Sequence, residues 1–330
     1  MHHKLFFLFF ITSVLIGCNS CDSIKGDDSI INVHIQRFDK DLYEWISTDD
    51  DVLQQQIQSE YAPMLKVIGM SIFKIQDTQT TTFFDRIINY YSEPTLNQLY
   101  QDAIKTFDNT ENIQEELGFA FGYLQKHFPA MQIPAVYMHV SGFQQNILVD
   151  DSLLSISIDK YLGADYPLYQ SYFYAYERRK MDPVYVTPDY FAAWLMSEYP
   201  FKGDDRILLE RIIYEGKIRY LVHQVLPKLI PEILMGYTSE EYQWCKQNEK
   251  AIWEEIILRK HLYTPDHITT SKYLSPAPAQ FISDLAPGEL GTWVGWQIVT
   301  QYMKHSNATP EQLMNNTDAQ DILTKSKYKP

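Results

Sequence analysis

Apolar residues recur along this chain with two different periods, and the changes between the periods divide it into three parts. In the first part they lie three and four positions apart, which is the spacing of amphipathic helices. The pattern predicts four helices: Asp49 to Lys66, Phe83 to Tyr91, Thr95 to Phe107 and Glu111 to Phe128. No charge run or Pro/Ser-rich linker separates them from the following segments, so we expect one continuous body.

The period changes to two between about residues 135 and 158. Val136, Met138 and Val140 alternate with other side chains, and the segment Leu154 to Ile158 repeats the alternation. Alternation of this kind is typical of β-strands. With Asn146 to Val149 as a further strand, the pattern predicts a small sheet. The connections are short, which favours antiparallel pairing.

The helical spacing returns after Pro183 and continues to the C-terminus. Thr187-Pro188-Asp189 combines an N-cap residue, a proline and an early acid, and Thr238 and Glu241 have the spacing of a capping box. Five helices are predicted: Thr187 to about Tyr199, Asp205 to about Leu226, Thr238 to about Leu262, Gly288 to Met303 and Thr309 to Thr324. The expected fold is α+β and mostly helical, with a small antiparallel sheet followed by long helices.

Residues 1–18 have the features of a lipoprotein export signal. A weakly basic start precedes a nearly all-apolar run from Leu5 to Ile16, and Leu15-Ile16-Gly17-Cys18 has the small-residue spacing of a lipobox. The run is shorter than the roughly 20 apolar residues that cross a bilayer. We expect residues 1–17 to be a signal peptide, 18–30 a lipidated flexible leash and 31–330 a single α+β domain. The alternative is an ordinary secretory signal with a chance cysteine.

Acylation of Cys18 would attach the protein permanently to a membrane, because each buried methylene contributes about 0.8 kcal/mol and several acyl chains act together. The formal charge of −14 argues against nucleic-acid binding and against electrostatic docking on anionic lipid. Membrane contact is therefore expected through the lipid alone. Of the three cysteines, Cys21 and Cys245 would remain to pair, and such a bridge is not expected.

The motifs of common catalytic sites are missing from the sequence. Outside the predicted signal, no two histidines lie three or four residues apart; the nearest pair, His261 and His267, is split by Pro265. No Gly-x-Ser-x-Gly elbow, dinucleotide fingerprint or P-loop occurs. Cys245 falls on an apolar stripe, which is typical of a core position. The sequence predicts no catalytic residue, no metal site and no cofactor.

Two carboxylates remain as candidates for a structural or remnant site. Glu215 lies four residues from both Arg211 and Arg219, which predicts an ion-pair triad on a helix surface. Glu249 falls on the same apolar stripe as Cys245, which predicts a buried and hydrogen-bonded carboxylate. Such a group can be catalytic, but without a second acid or a histidine placed nearby a structural pair with Lys or Arg is the better interpretation.

Gly291 and Gly295 lie four residues apart on a predicted helix and give it a smooth face. A smooth face lets another backbone approach closely, and Trp293 and Trp296 add large contact areas beside it. Core packing is the main interpretation of this pattern. A docking face for a partner protein is the alternative.

Tyrosine is frequent in this chain, with 24 residues, and six of them fall between Tyr161 and Tyr176. Amphipathic rings suit half-buried surfaces and interfaces. The stretch is interpreted mainly as core and strand packing. A patch that stacks on glycans or binds a partner is the alternative.

Four sequence blocks lie in order behind the lipobox: LLERIIYEGK at 208–217, NEKAIW at 248–253, WVGWQIV at 293–299 and SKYKP at 326–330. Through these blocks the chain resembles the gliding motility-associated lipoprotein GldB family over essentially its whole length. The resemblance implies a membrane-anchored protein needed for gliding, in cells where gliding is linked to a dedicated secretion machinery. It also implies other proteins of that apparatus as partners.

A more distant likeness concerns the order of the elements. A sheet, a helix and then a helix bearing Glu215-Gly216 is similar to predicted zinc proteases of the zincin class, which carry HExxH on the first helix and a third ligand Glu on the second. Here the first helix, from Asp189 to Leu195, has no histidine, while Glu215 stands where the third ligand would. A lone carboxylate cannot hold zinc. The likeness therefore implies a zincin-like scaffold that has lost its metal.

These inferences predict a lipoprotein of the cell envelope that acts by protein–protein contact and without catalysis. Only one acid, Asp22, closely follows Cys18, which favours a periplasm-facing protein over a surface-exposed one. One alternative is a metal-independent or residual hydrolase that uses Glu215 or Glu249. Another is a glycan-binding envelope lipoprotein that uses the stretch from Tyr161 to Tyr176. The sequence leaves open which membrane carries the anchor.

Overall fold

The computed structural model describes residues 30–330, so the predicted signal peptide, Cys18 and Cys21 lie outside the described residues. The described chain is mostly helical with one small sheet, as an α+β fold requires. Its first part contains one short strand and six helices: β1 (Ile35–Gln36), α1 (Phe38–Thr48), α2 (Asp51–Glu60), α3 (Ala62–Ile68), α4 (Thr81–Tyr91), α5 (Pro94–Thr106) and α6 (Glu111–His127). The predicted helix from Asp49 to Lys66 is divided between α2 and α3, because Pro63 starts a new helix.

The sheet has four described strands in the order β1-β2-β4-β3, where β2 is Ala135–His139, β3 is Ile147–Asp150 and β4 is Leu153–Ser157. β2 pairs in parallel with both β1 and β4, and only β3 and β4 are antiparallel. The prediction of an antiparallel sheet is therefore wrong. The chain leaves β2, forms β3 at the sheet edge and turns back, so that β4 enters between β3 and β2 and runs in the same direction as β2.

Both faces of the sheet are covered. Every residue of β4 is buried, and so are four of the five residues of β2. Because alternate side chains of a strand point to opposite faces, neither face of these strands lies in water. Helix α1 contacts β2, and α9, described below, contacts β3 and β4. The polar members of the alternating pattern, including His139, Ser155 and Ser157, are thus inside the protein.

The chain after the sheet is helical: α7 (Tyr169–Tyr172), α8 (Ala175–Arg178), α9 (Val186–Glu198), α10 (Leu208–Val225), α11 (Pro231–Met235), α12 (Ser239–Leu258), α13 (His267–Leu274), α14 (Leu290–His305), α15 (Pro310–Asn315) and α16 (Ala319–Ser326). The capping box of Thr238 and Glu241 is confirmed at the start of α12. The helix predicted from Thr309 to Thr324 is two helices, because Asp318 caps a new start.

The close crossing of α10 and α14 forms the centre of the helical part. A Cβ atom added to Gly295 would lie 1.7 Å from the carbonyl oxygen of Ile212, and one added to Gly216 would lie 2.3 Å from the backbone of Gly295. Trp293 and Trp296 are buried beside this contact. The core-packing interpretation of the glycine face is confirmed, and α10 occupies the face that a partner would have used.

Candidate functional site

A cluster of charged side chains lies where α9, α10 and the start of α14 meet. We call it the charged cluster, and it consists of three carboxylates and three cations: Asp189, Glu215, Glu289, Lys180, Arg211 and Arg219. The three members on α10 are spaced four residues apart and so share one face of the helix. The side chains in its ion pairs are only 17–30% exposed. The formal charges of the six residues cancel.

Glu289 receives two cations. Its Oε2 atom lies 2.6 Å from Nζ of Lys180 and 3.6 Å from a terminal guanidinium nitrogen of Arg219. Burial alone would raise the pKa of Glu289, but the charges of Lys180 and Arg219 outweigh it and hold the pKa below its usual range. Glu289 precedes α14 with φ of 50°, a left-handed conformation that costs a non-glycine residue energy.

Glu215 is paired on its own helix. A terminal nitrogen of Arg211 donates to Oε1 of Glu215 at 2.9 Å, as the spacing of four residues predicts. Arg219, the other predicted member of the triad, instead reaches Glu289 and acts on Glu215 only through its charge. Burial outweighs both arginines and raises the pKa of Glu215. The predicted surface triad is therefore a partly buried pair that is linked to a second carboxylate.

Asp189 joins the cluster from α9. Its Oδ2 atom accepts a hydrogen bond of 2.8 Å from the hydroxyl of Tyr161, which is 3% exposed. Burial raises the pKa of Asp189, while the charges of Arg219 and Lys180 oppose the rise. The predicted N-cap role of Thr187 is wrong, because α9 already begins at Val186.

A further ion pair continues the cluster toward α12. Arg179, next to Lys180, donates to Glu241, the residue that closes the capping box of Thr238. The hydroxyl of Tyr237 donates to the carbonyl oxygen of Gly288 at 2.8 Å, beside Glu289. These contacts join the segment before α9 to the starts of α12 and α14. These contacts hold together parts of the chain that lie far apart in sequence, from 51 residues for Tyr237 and Gly288 to 109 residues for Lys180 and Glu289.

The cluster can store a proton and can hold helices in place. Asp189 and Glu215 have raised pKa values, whereas Glu289 has a lowered one. Groups with separated pKa values can act as acid and base, but structural ion-pair networks shift pKa values in the same way. Each of the three carboxylates already accepts a hydrogen bond from a side chain of this protein. Within residues 30–330, no three His, Cys, Asp or Glu side chains form a group that could hold a metal ion.

Glu249, the second carboxylate singled out in the sequence, lies outside the charged cluster. Its Oε1 atom accepts a hydrogen bond of 2.9 Å from the hydroxyl of Tyr328, and the ring of Tyr328 packs edge-on against Trp253 at 5.2 Å. The residue is half-buried, and a tyrosine takes the place of the predicted Lys or Arg. Cys245 is fully buried, and burial raises the pKa of its thiol, which fits a core position.

A second polar network is buried inside the sheet. Nδ1 of His139 lies 2.7 Å from Oγ of Ser155, and burial lowers the pKa of His139 to about 3. Asp159 accepts hydrogen bonds from Ser157 and from the amide of Ser141. No hydrogen bond between described residues joins His139 to Asp159, and all five side chains are at most 1% exposed. The set contains the residue types of a catalytic triad but lacks its connection and its access to substrate.

Sequence reasoning identified Glu215 and missed most of its surroundings. The sequence predicts Asp189 only as an early helix acid, and neither Lys180 nor Glu289 has a helical spacing that indicates its partner. Their partners lie 28 to 109 residues away, so spacing within one helix could not reveal them. The unusual frequency of charged residues in 177–182 was the one available hint.

The comparisons with known proteins give one match. A family model described as gliding motility protein GldB matches residues 21–330, which include all the described elements. No curated protein and no solved structure matches the chain. None of the helices in the described part of the chain is long and apolar enough to span a bilayer.

Proposed function

Because the chain belongs to the gliding motility protein GldB family, we propose that it serves gliding as a membrane-anchored lipoprotein without catalytic activity. The observation that carries the proposal is the family match over residues 21–330. In this proposal Cys18 is acylated, the folded part faces the periplasm, and the protein acts by contact with other components of the gliding apparatus and its linked secretion machinery. Confinement to one membrane raises the effective concentration of such partners.

The geometry of the charged cluster supports a non-catalytic role. Arg211, Lys180 and Tyr161 each donate to one of its three carboxylates. A general base needs a lone pair that faces its substrate, and ion-pair networks of balanced charge are commonly structural. In this proposal the cluster fixes α9, α10 and α14 relative to one another.

We also propose that α9 and α10 are the two helices of a zincin-like scaffold that has lost its metal. Three observations support this. The two helices follow the sheet in order, α9 carries no histidine, and Asp189 on α9 and Glu215 on α10 both lie within the electrostatic reach of Arg219 and Lys180. In such a remnant, the two cations would compensate carboxylates that once faced a metal.

The experiment is complementation of a deletion strain of the host bacterium. We expect the deletion to stop gliding, the wild-type gene to restore it, and Glu215→Gln and Glu249→Gln to restore it as well. Glu254→Gln, at a side chain that is 66% exposed, is the matched control. Glu215→Gln protein that is folded and present in normal amount but fails to support gliding would favour the hydrolase alternative. Normal gliding of the deletion strain would overturn the proposal.

A glycan-binding role is a second candidate, and the exposure of two tyrosines favours it. Tyr172 and Tyr174 are 66% and 71% exposed, and the ring of Tyr174 stacks on Tyr176 at 5.5 Å with an interplanar angle of 11°. Exposed rings of this kind suit stacking on sugars. Tyr161 and Tyr169 of the same stretch are buried, in agreement with the core interpretation. Polysaccharide titrations that Tyr174→Ser abolishes would support this role, and flat titrations of wild-type protein would dismiss it.

A further inference from the structure

A groove with an apolar floor and an acidic rim lies at the C-terminal end of α10 and contains none of the residues of the charged cluster. Its volume is about 560 Å³. The floor comes from Phe119 of α6, Val225 of α10, and Leu226, Leu229 and Ile233 that follow α10. We call this feature the α6 groove. A site of this size and lining is typical of recognition surfaces in proteins.

Apolar residues around the α6 groove are exposed to solvent. Phe119 is 41% exposed, and Val184, which also lines the groove, is 42% exposed. Ile230, between the floor residue Leu229 and α11, is 53% exposed. Single exposed apolar residues are ordinary, but two that line one groove, with Ile230 exposed next to the lining residue Leu229, mark an interaction site.

The rim of the α6 groove is acidic. Glu115 and Glu116 line it from α6, both are exposed, and neither forms an ion pair with another residue in the described range. Glu111 lies one turn earlier on the same helix. Lys228 is the one cation among the residues that line the groove. The carboxylates therefore outnumber the ammonium group, in a chain whose formal net charge is −14.

Charge complementarity decides between occupants of this groove. An anionic lipid surface would be repelled by Glu115 and Glu116, and a second copy of this acidic chain would meet the same repulsion. A helix with an apolar face can pack on the apolar floor, and Lys or Arg residues that flank this face can pair with the acidic rim. Resting on the function proposed above, we propose that the α6 groove binds a basic amphipathic helix of a partner protein.

The first described residues of the chain indicate where the α6 groove lies relative to the proposed membrane anchor. The amide of Ile31 donates to the carbonyl oxygen of Gly118 at 3.3 Å, so the described chain enters the fold on α6, between the rim residue Glu115 and the floor residue Phe119 in sequence. The first described residues, Ile30 and Ile31, therefore lie beside Glu115 of the groove rim. With Cys18 acylated, the groove would be held near the membrane, within reach of a partner in that membrane.

The first test is binding to two synthetic helices of about 18 residues that share a leucine face and carry either lysine or glutamate on the other face. The protein is the full mature chain from residue 18 with Cys18→Ser. We expect the Leu/Lys helix to bind at least about tenfold more tightly than the Leu/Glu helix. Phe119→Ser and, independently, Val184→Ser should each weaken Leu/Lys binding at least about fivefold.

Two controls separate the groove from general attraction to an acidic protein. Leu258→Ser alters an apolar side chain that is 78% exposed and lies outside the groove, so binding should not change. Glu115→Gln with Glu116→Gln should remove most of the preference for lysine. Equal binding of the two helices would overturn the proposal. A loss of Leu/Lys binding in Leu258→Ser as large as that in Phe119→Ser would overturn it as well. Binding to phosphatidylcholine vesicles that depends on Phe119, without helix binding, would also overturn it and identify a membrane-facing surface.

Complementation distinguishes failure of this inference from failure of the proposed function. If the deletion strain glides normally, the function is wrong. If the deletion stops gliding but folded Phe119→Ser and Val184→Ser proteins both restore it fully, the groove proposal alone is wrong. We expect both variants to melt within a few degrees of wild type, because both side chains are substantially exposed, and to restore gliding poorly.

Discussion

Glu289 takes part in two of the three ion pairs of the charged cluster, so removal of its charge should lower the stability of the protein. We expect Glu289→Gln to lower the free energy of unfolding by roughly 2 kcal/mol, because Lys180 and Arg219 would keep their charges in a partly buried place without a counter-charge. Urea unfolding followed by circular dichroism measures the change.

Glu254→Gln is the matched control for this prediction. Glu254 pairs with Lys250 at 3.7 Å, and both side chains are more than 60% exposed, at 66% and 69%. Exposed pairs contribute little, so the change should stay within about 0.5 kcal/mol. Equal effects of the two substitutions would show that the cluster contributes no more than a surface pair.

His139 should make stability depend on pH. Burial lowers its pKa in the folded state to about 3, whereas an unfolded histidine has a pKa near 6.5. Between these values the unfolded chain binds the proton and the folded protein does not, so stability falls as the pH falls, by up to roughly 1.4 kcal/mol for each pH unit.

Comparison with His139→Asn isolates this contribution from those of Asp159 and the other buried acids. Burial raises the pKa of Asp159, which acts in the opposite direction as the pH falls. The stability difference between wild type and variant should shrink steadily below pH 6.5. His267→Asn, at a side chain that is 66% exposed, controls for the loss of a histidine. A difference that is constant with pH would contradict the burial of a neutral imidazole.

Single residues also show how far the sequence could predict the site. The pair of Arg211 and Glu215 follows from a spacing of four residues on one helix. The contact of Lys180 with Glu289 spans 109 residues and joins the segment between α8 and α9 to the start of α14, so no spacing within one helix encodes it. Spacing therefore predicts pairs within an element, whereas the cluster is a property of how elements pack.

At the scale of elements, a local capping signal predicts the start of a helix correctly where no second capping signal lies just before it in the sequence. Thr238 with Glu241 starts α12 as predicted. Thr187-Pro188-Asp189 has an equally good composition but lies one turn too late, because Asp182 and Pro183 carry the same signal earlier. Asp189 consequently lies inside α9, and its carboxylate accepts a hydrogen bond from Tyr161.

The sheet shows why strand direction is harder to predict than strand position. All three strands between residues 135 and 158 are predicted from the sequence, β2 and β4 from their alternation and β3 as the segment Asn146 to Val149 between them. β1 has only two residues, Ile35 and Gln36, which is too short for a period to be seen. The parallel pairing of β2 with β4 depends on β3 lying at the edge, and short connections do not distinguish this order from a simple meander.

The crossing of α10 and α14 should be the element contact most sensitive to added volume. We expect Gly295→Ala to lower the free energy of unfolding by about 3 kcal/mol or more, because the new methyl group would meet the backbone carbonyl of Ile212 at 1.7 Å. Backbone cannot move aside as a side chain can, so the two helices would have to separate. Thermal and urea unfolding measure the loss.

Two other substitutions on α14 provide comparisons for the stability loss expected of Gly295→Ala. Gly291→Ala should cost less, because its nearest neighbour is a side-chain methyl group of Ile212 at 2.9 Å. Lys304→Ala, at an exposed position, should change stability by less than about 0.5 kcal/mol. A stable Gly295→Ala protein would mean that α10 and α14 do not cross so closely.

At the scale of the whole molecule, the net charge keeps the protein away from anionic lipid, whereas the proposed lipid anchor holds it at the membrane. A formal charge of −14 repels the folded part from anionic lipid, and no helix in residues 30–330 could cross a bilayer. In the proposed function, an acylated Cys18 therefore provides the whole of the attachment. The folded part would then be held close to the membrane without lying on it, which leaves its surfaces available to protein partners.

Removal of that one attachment should release the protein completely. We expect a chain with Cys18→Ser, exported by an ordinary cleaved signal in place of residues 1–17, to appear in the soluble fraction and to incorporate no labelled palmitate. Cys21→Ser, three residues later and still behind the lipobox, should remain in the membrane fraction and stay labelled. Several acyl chains bind far more strongly than any contact that an acidic surface makes with lipid, so partial release is not expected. A Cys18→Ser protein that stays on the membrane would show that a second contact holds it there, and a further Phe119→Ser substitution would then test whether the α6 groove supplies that contact.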